Sequence, residues 1–326
     1  MKLESRRILI TGGAGVIGSE MARKLITAND ISIIDNLSSG CRENLDGLKG
    51  QGRLEFHHED ITSAPQVDKV MKDIDVVFHF AANGDIRFRE GAPTDLDLRS
   101  NTIGTYNVLE SMRREDVADI VFSSSSAIYG EPDIVPTPEN YGPLMPVSLY
   151  GASKLAGEGL LSAFAGTYGI RAWIYRFANV VGNKSRKIGK NVIPDFIAKL
   201  TKNPLELEIL GDGRQTKSYL YIDDCIDGML ELMQKREGMV SIYNLGSVDT
   251  VTVKEIADIV TDEMGLKNVK YSYTGGRGGW KGDIPLMFLD TAKATRDGWT
   301  AKKTSAGAVR QSARDLIRQI KTGNRK

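Results

Sequence analysis

One tyrosine and one lysine have the spacing of a catalytic acid–base pair. Of eleven tyrosines, only Tyr150 is followed by a lysine four residues later, at Lys154. In a helix these side chains would share a face. A nearby ammonium favours the phenolate, so we expect it to lower the pKa of Tyr150 from its ordinary value of about 10. A tyrosine tuned in this way could act as a base near neutral pH.

A glycine-rich run near the start of the chain predicts a dinucleotide site beside that pair. Gly12, Gly15 and Gly18 follow a strand-like segment and open a helical pattern at Val16, which is the context that the dinucleotide fingerprint requires. Gly12 would allow a tight turn, Gly15 the approach of a pyrophosphate, and Gly18 close packing of helix on sheet. Backbone N–H groups at the helix start, around Val16 and Ile17, would bind the phosphates.

The acidic residue expected about 20 residues beyond such glycines is Asp35. Its carboxylate would accept hydrogen bonds from a ribose diol and repel a 2′-phosphate, which favours NAD over NADP. Arg42 is the only nearby basic residue that could favour NADP. Asp60 and Ile61, after the third predicted strand, could hold the adenine through side-chain and backbone hydrogen bonds.

A run of four serines, Ser123 to Ser126, ends another predicted strand. A hydroxyl at the carboxyl edge of a sheet can hydrogen-bond a reacting oxygen. A dinucleotide site, a serine, a tyrosine and a lysine together indicate the transfer of a hydride and a proton on a secondary alcohol. The three histidines have no metal-site spacing, so we predict no metal.

Short apolar segments alternate with helical patterns through the first half of the chain. This β-α-β alternation predicts an α/β fold with a doubly wound parallel sheet. The predicted strands are 8–11, 31–35, 54–57, 76–80, 120–123 and 172–176, and the predicted helices are 16–26, 67–71, 96–112 and 148–168. Ser148 is the expected N-cap of the last of these helices.

The character of the chain changes after Asn179, where shorter elements and more turns follow. We predict a dinucleotide-binding domain over residues 1–178, with a later return segment near 218–247, and a smaller substrate-binding lobe over 179–326. The lobe contains helices within 248–264 and at 306–320. Because ligands of open α/β sheets bind at the carboxyl ends of the strands, the lobe should close over that edge.

Composition excludes several classes of protein. The 326 residues are 41% hydrophobic and 26% charged with a formal net charge of +1, which gives no electrostatic reason to expect nucleic acid or a membrane surface as partner. No apolar run approaches the ~20 residues of a membrane span, and the N-terminus does not resemble a signal peptide. The isolated Cys41 and Cys225 fit a reducing cytosol, so we expect a cytoplasmic protein.

Ten motifs together resemble the extended short-chain dehydrogenase/reductase family, and within it the nucleotide-sugar 4-epimerases that act on UDP-glucose and UDP-galactose. The resemblance covers almost the whole chain and implies a Rossmann-type sheet with a smaller C-terminal lobe. The motifs are Thr11–Gly18, Asp35–Gly40, Phe78–Ala82, Asn101–Thr105, Ser123–Gly130, Tyr150–Lys154, Arg176–Gly182, Ile193–Phe196, Gly211–Thr216 and Tyr221–Asp224.

This resemblance implies roles for individual residues. Tyr150 would be the base, Lys154 its activator and a ligand of the nicotinamide ribose, and Ser125 the hydroxyl partner, with Ser124 and Ser126 as alternatives. It also implies NAD as cofactor and a homodimer through the helices at 96–112 and 148–168. The implied NAD-binding residues are Gly12, Gly15, Val16, Ile17, Asp35, Asn36, Ser38, Ser39, Gly40, Asp60, Ile61, Phe80, Ala81, Ala82, Asn101, Ser123, Tyr150, Lys154 and Phe177.

The resemblance likewise implies a UDP-sugar site, formed by Ser125, Asn179, Val192, Ile193, Lys217, Arg277 and Met287. Lys217 and Arg277 are candidates for the diphosphate, although Lys217 stands where the family commonly has arginine and the loop at 277–283 departs from the family pattern. Met287 falls where these epimerases limit bulk at C2 of the hexose. A methionine there predicts UDP-glucose and UDP-galactose as the main pair, with appreciable activity on N-acetyl forms.

The implied activity is NAD-dependent 4-epimerisation of a UDP-hexose through a transient 4-keto sugar. The alternatives are a UDP-glucuronate 4-epimerase, a nucleotide-sugar 4,6-dehydratase and a non-catalytic NAD-binding protein. A dehydratase needs an additional acid and base, an Asp-Glu pair in the family, where this chain has Ser126 and Ala127. The intact serine, tyrosine and lysine set argues against a non-catalytic protein.

Overall fold

The apolar segments of the first half assemble into one parallel sheet, as a computed structural model of the chain shows. The structure describes residues 3–48, 50–84, 91, 93–182, 191–235 and 238–323. Six sheet strands come from the first half: β1 (Arg7–Thr11), β2 (Asp30–Ile34), β3 (Leu54–His57), β4 (Val76–His79), β5 (Asp119–Ser125) and β6 (Arg171–Phe177). They alternate with helices α1 (Val16–Leu25), α2 (Ala64–Met71), α3 (Gly104–Arg114) and α4 (Leu149–Tyr168).

The second half adds one strand to that sheet and builds most of the lobe. Its strands are β7 (Asn179–Val181), β8 (Glu206–Ile209), β9 (Thr216–Lys217), β10 (Tyr219–Tyr221), β11 (Val240–Leu245), β12 (Val251–Thr252), β13 (Lys270–Tyr273) and β14 (Leu286–Met287). Its helices are α5 (Val192–Lys202), α6 (Ile222–Leu232), α7 (Val253–Glu263), α8 (Ala292–Arg296) and α9 (Ser305–Gly323).

The central sheet has seven parallel strands in the order β11-β6-β5-β4-β1-β2-β3. Helices α2, α3 and α4 contribute to the apolar cluster on one face, and α1 and α6 to the cluster on the other. The predicted doubly wound α/β fold is therefore confirmed. The strand order reverses between β1 and β4, and ligands of such sheets bind outside the carboxyl ends of the strands at that crevice.

Helix α4 brings Tyr150 to this edge because its N-terminal half packs closely on β5 and on the 3-10 helix that follows it. The Ser148 hydroxyl accepts a hydrogen bond from the Gly151 N–H at 3.0 Å, so the predicted N-cap is confirmed. A Cβ at Gly151 would lie 2.5 Å from the Ala127 carbonyl oxygen, and one at Gly157 would lie 2.7 Å from the Phe122 ring. Both glycines are therefore needed for the approach of helix to sheet.

The helix predicted over 96–112 is interrupted. Leu98–Ile103 forms a π-helical turn that runs into α3 at Gly104, and such turns frequently mark functional sites. In the lobe, α5, α7 and α9 share the large apolar cluster, and α7 begins with a capping box between Thr252 and Glu255. None of the helices in the described ranges has the length and apolar character of a membrane span.

Candidate functional site

The glycine run forms a tight turn in which an added side chain would collide with neighbouring backbone. Gly12 has a φ of +68°, and a Cβ there would lie 2.7 Å from the backbone nitrogen of Ala81. A Cβ at Gly15 would lie 3.2 Å from the Gly12 carbonyl oxygen. Gly15 is the N-cap of α1 and offers no side chain, so the first N–H groups of the helix, at Val16 and Ile17, have no acceptor within the helix. This cradle fits the pyrophosphate of a dinucleotide.

The loop after β2 is built around Asp35. Its two carboxylate oxygens accept hydrogen bonds from the N–H groups of Ala14 at 2.9 Å and Leu37 at 2.8 Å. The carboxylate is thus held against the glycine turn with acceptor capacity left for a diol. Gly40 follows closely, because a Cβ there would lie 2.6 Å from the Ala14 carbonyl. The Arg42 guanidinium lies 5.0 Å over the Phe56 ring, which gives it a partner other than a phosphate.

The remaining predicted cofactor residues line the same edge or support it. Asn36 donates to Asp60 at 2.8 Å, and the N–H of Ser38 donates to the side chain of Asn36, beside Ser39. The Ile61 carbonyl accepts a hydrogen bond from Asn107. Phe80, Ala81 and Ala82 follow β4 directly and are partly buried, whereas the Phe177 side chain lies in the core. Asn101 is buried and donates to the Ser153 hydroxyl at 2.9 Å.

The structure brings Ser125, Tyr150 and Lys154 together at the end of β5. The Lys154 ammonium donates to the Ser123 carbonyl at 2.8 Å and lies 5.9 Å from the centre of the Tyr150 ring. Ser125 accepts a hydrogen bond from the Ala127 N–H, and its hydroxyl acts to lower the pKa of Tyr150. Ser124 differs, because its hydroxyl donates to the buried Glu158 carboxylate at 2.5 Å. Of these two neighbouring serines, only Ser125 therefore presents its hydroxyl to the tyrosine.

We expected Lys154 to lower the pKa of Tyr150, and for the protein without bound cofactor this expectation is wrong. Burial raises the pKa of Tyr150 to about 12, with the hydrogen bond from Ser125 acting in the opposite direction. Burial also lowers the pKa of Lys154 to about 8, against the charges of Asp97 and Glu158. The ammonium fails to lower the tyrosine pKa because it bonds to the Ser123 carbonyl and lies almost 6 Å from the phenol ring.

A buried ion pair behind the site was missed by sequence reasoning. The Arg176 guanidinium makes a bidentate contact with Glu158, with distances of 3.0 and 2.7 Å, and donates to the Tyr129 hydroxyl at 2.8 Å. Burial would lower the pKa of Arg176, but Glu158 and Tyr129 outweigh it and raise that pKa. The available signals were an arginine inside an apolar strand and a glutamate one turn after Lys154 in α4.

The residues predicted for UDP lie at the start of the lobe. Asn179 begins β7 and its side-chain amide donates to the Ser218 carbonyl at 3.2 Å. Val192 is partly buried at the first position of α5. Ile193 corrects the prediction, because its side chain is fully buried in the core and its N–H donates to the Asn191 side chain. Ile193 therefore packs the lobe and offers neither group to a ligand.

The two candidate cations for the diphosphate differ in their surroundings. The Lys217 ammonium is paired with the buried Asp283 carboxylate at 2.5 Å and lies 5.0 Å over the Trp280 ring. Its charge is therefore already neutralised within the protein. Arg277 is exposed in the loop that carries Trp280 and Asp283. Of the two cations, Arg277 is the one whose position suits a ligand from solvent.

Met287 does not lie on an open pocket wall, contrary to the prediction. It is 3% exposed and packs in a small cluster with Ile128, Tyr129 and Leu289. Its strand β14 pairs with β9, which carries Lys217. A residue packed this way affects the sugar pocket only through the cluster it supports.

Comparison with known proteins agrees with this geometry. Residues 8–246 match the NAD dependent epimerase/dehydratase family. A Methanocaldococcus jannaschii protein named "Putative UDP-glucose 4-epimerase" is 36% identical over 324 residues, which cover 98% of this chain and 99% of the relative. UDP-glucuronic acid decarboxylase 3 of Arabidopsis thaliana is 31% identical over 272 residues, 81% of this chain and 77% of the relative.

Among solved structures, the crystal structure of a UDP-galactose 4-epimerase is 37% identical, with a TM-score of 0.85 over 96% of this chain and 99% of that one. The predicted cofactor, NAD, is confirmed at the level of the family. The cradle at Gly12, the carboxylate of Asp35 and the cluster around Tyr150 lie within the matched residues, and the chain belongs to the NAD dependent epimerase/dehydratase family.

Proposed function

We propose that this protein is an NAD-dependent 4-epimerase of UDP-hexoses, with UDP-glucose and UDP-galactose as its main pair and UDP-N-acetylhexoses as further substrates. The observation that carries the proposal is the meeting of Ser125, Tyr150 and Lys154 beside the glycine cradle. The relatives named as 4-epimerases of UDP-glucose or UDP-galactose cover this chain almost completely, which supports the choice of reaction.

The chain's own residues would act at the 4-hydroxyl of the sugar. The Tyr150 oxygen takes the hydroxyl proton, and the Ser125 hydroxyl hydrogen-bonds the same sugar oxygen as it becomes a carbonyl. Bound NAD supplies a reversible acceptor for the hydride from C4. Lys154, whose ammonium lies 5.9 Å from the centre of the Tyr150 ring, adds positive charge to the site below its pKa of about 8. The 4-keto sugar then rotates within the site and presents the opposite face of C4. Once hydride has returned to C4 on that face, Tyr150 returns the proton to the 4-oxygen.

The end of β5 favours epimerisation over dehydration. A 4,6-dehydratase needs an additional acid and base next to the serine, and Ser126 and Ala127 occupy those positions at the start of a 3-10 helix. Neither side chain has an acidic or basic group to serve C5 and C6. A UDP-glucuronate 4-epimerase is the second candidate, because its reaction also occurs at C4 and needs no additional acid and base at these two positions.

For the diphosphate of the substrate we propose Arg277 as the main cation. It lies in the lobe on the loop next to β9, and a guanidinium can hold a phosphate through two parallel hydrogen bonds. Lys217 would contribute only if the substrate displaced Asp283 from its ammonium. Asn179 and Val192 would hold the uridine end, at the edge where the lobe meets β6.

We also propose a cytoplasmic homodimer through the π-helical turn, α3 and α4. Large apolar side chains stand exposed on these adjoining elements, including Leu98, Ile103, Tyr106, Leu149 and Tyr168. Helices that expose such residues on neighbouring faces are suited to pairing with a second copy as a bundle. Gly159 lies in α4, and no atom of the described residues beyond its own helix lies within 4 Å of an added Cβ, which leaves space for a partner helix to approach.

A panel of UDP-sugars tests this function. Purified protein is incubated separately with UDP-glucose, UDP-galactose, their N-acetyl forms and UDP-glucuronate, and the products are separated by chromatography. We expect 4-epimers of the plain hexoses to form fastest, with slower conversion of the N-acetyl forms. Conversion of UDP-glucuronate alone would favour the second candidate, and no conversion of any sugar while NAD stays bound would refute catalysis.

A further inference from the structure

A continuous row of buried polar groups connects the cofactor cradle with the base. Thr11, His79, Thr105, Asn101 and Ser153 are all buried, and they come from β1, β4, α3, the π-helical turn and α4. The row begins at the Ala81 N–H, against which Gly12 packs, and ends at the Tyr150 carbonyl. It includes His79, the last residue of β4.

Most of the hydrogens in this row can be assigned by elimination. The Thr105 hydroxyl donates to the Asn101 carbonyl at 2.5 Å, so it can only accept from His79 Nε2, 2.9 Å away. His79 must therefore carry a hydrogen on Nε2. A neutral imidazole then has a bare Nδ1, which accepts from the Thr11 hydroxyl at 2.6 Å. Thr11 in turn accepts from the Ala81 N–H at 3.1 Å.

The second half of the row reaches the base. The Asn101 side-chain amide donates to Ser153 at 2.9 Å, and the Ser153 hydroxyl donates to the Tyr150 carbonyl at 2.8 Å. All hydrogen bonds of the row are therefore donated in the same direction, from Ala81 toward Tyr150. Burial lowers the pKa of His79 to about 3, and the charge of Lys154 adds to this, so the imidazole is neutral throughout the physiological range.

We propose that His79, fixed as its Nε2–H tautomer, is a positioning residue that sets the place of Tyr150 relative to the cofactor cradle. One imidazole ties the ends of β1 and β4 to the start of α3, and Asn101 and Ser153 carry that restraint to the backbone of the base. The proposal rests on the proposed role of Tyr150. A displacement of about 1 Å at a reacting group costs on the order of 100-fold in rate, which is what such a restraint would prevent.

The two ends of the row make separable predictions. Thr105→Val removes the acceptor for Nε2–H with little change of volume and should lower kcat on the order of tenfold, while KM changes less than about twofold. Thr105→Ser restores the hydroxyl and should restore kcat. Thr11→Val cuts the row at the cradle and should instead weaken retention of NAD. The matched control is Ser111→Ala, in the same helix, because the buried Ser111 hydroxyl has no hydrogen-bond partner among the residues that the structure describes.

A second measurement does not depend on the substrate. ¹⁵N-histidine NMR of the holoenzyme should show His79 as a neutral Nε2–H tautomer that does not titrate between pH 5 and 9, with His79→Gln identifying its signals. An Nδ1–H tautomer of His79, or a His79 ring that titrates in this range, overturns the proposal. A kcat of Thr105→Val equal to the kcat of Ser111→Ala overturns it as well. If wild type converts no sugar, the proposed function fails while the spectrum still tests the row.

Discussion

Removal of the Glu158 charge should destabilise the protein strongly, because it leaves the buried Arg176 without a counter-charge. Glu158 accepts two hydrogen bonds from Arg176 and one from Ser124, and both charged residues are less than 10% exposed. Glu158→Gln keeps the volume but leaves a cation without its counter-charge. Breaking one partner of a buried pair typically costs about 3–5 kcal/mol of unfolding free energy, and we expect a loss in that range.

The matched control is the same substitution at an exposed pair. Glu55 lies 2.7 Å from Arg53 at the surface, with side chains 46% and 67% exposed, and such pairs contribute less than about 1 kcal/mol. Both variants are unfolded in urea at pH 7.5 and followed by circular dichroism, with midpoints compared at equal slope. Equal losses for Glu158→Gln and Glu55→Gln would refute the assignment of a buried, paired charge.

A double variant separates the lost charge pair from lost packing. Replacing both Glu158 and Arg176 with methionine removes the two charges together and fills much of their volume. Because an apolar replacement of a whole buried pair is often close to neutral, we expect the double variant to be more stable than Glu158→Gln. A double variant that is less stable than the single one would show that the hydrogen bonds to Ser124 and Tyr129 dominate.

Three further predictions concern pH, cofactor and assembly. Folding lowers the pKa of Lys154 from 10.5 to about 8, so the unfolded chain binds more protons between these pH values and the free energy of unfolding should rise with pH there. Lys154→Met should lose this rise, which is on the order of 3 kcal/mol. Parallel curves of unfolding free energy against pH for the two proteins would contradict the prediction. Asp35→Asn should raise the affinity for NADP relative to NAD by about tenfold or more, since it removes a charge that repels the 2′-phosphate. An unchanged ratio of the two affinities in cofactor titrations would contradict this role of Asp35 and direct attention to Arg42. Tyr106→Glu should convert the proposed dimer to a monomer, measured by light scattering. A wild-type protein that is already monomeric at micromolar concentration would disprove the proposed interface.

The parts of the site that follow local rules could be predicted from sequence. The glycine turn, the capping serine of α4 and the strands that carry Thr11, His79 and Ser123 each depend on a few neighbouring residues. The choice between Ser124 and Ser125 needed the structure, because successive residues of a strand point to opposite faces and only the fold shows which face holds Glu158. The π-helical turn at 98–103 was missed because its apolar spacing continues into α3.

Long-range contacts account for the errors. Lys217 and Asp283 are paired across 66 positions of sequence, so the neutralised charge of Lys217 could not be read from the residues around it. The pKa of Tyr150 was assigned from the lysine one turn away, yet burial by the whole fold has the larger effect. Met287 aligned with a pocket position but is buried in a cluster with Tyr129, and the residues of that cluster come from distant parts of the chain.

The fate of the hydrogen at C4 of the sugar tests the proposed epimerisation most directly. UDP-galactose that carries deuterium at C4 is converted by wild type in ordinary water, and the product is examined by NMR and mass spectrometry. We expect UDP-glucose with the deuterium still at C4, and a rate about 10²–10⁴-fold lower in Tyr150→Phe. Loss of the label to water, a product that has lost water or carbon dioxide, or full activity of Tyr150→Phe would contradict hydride return at C4 with Tyr150 as the base.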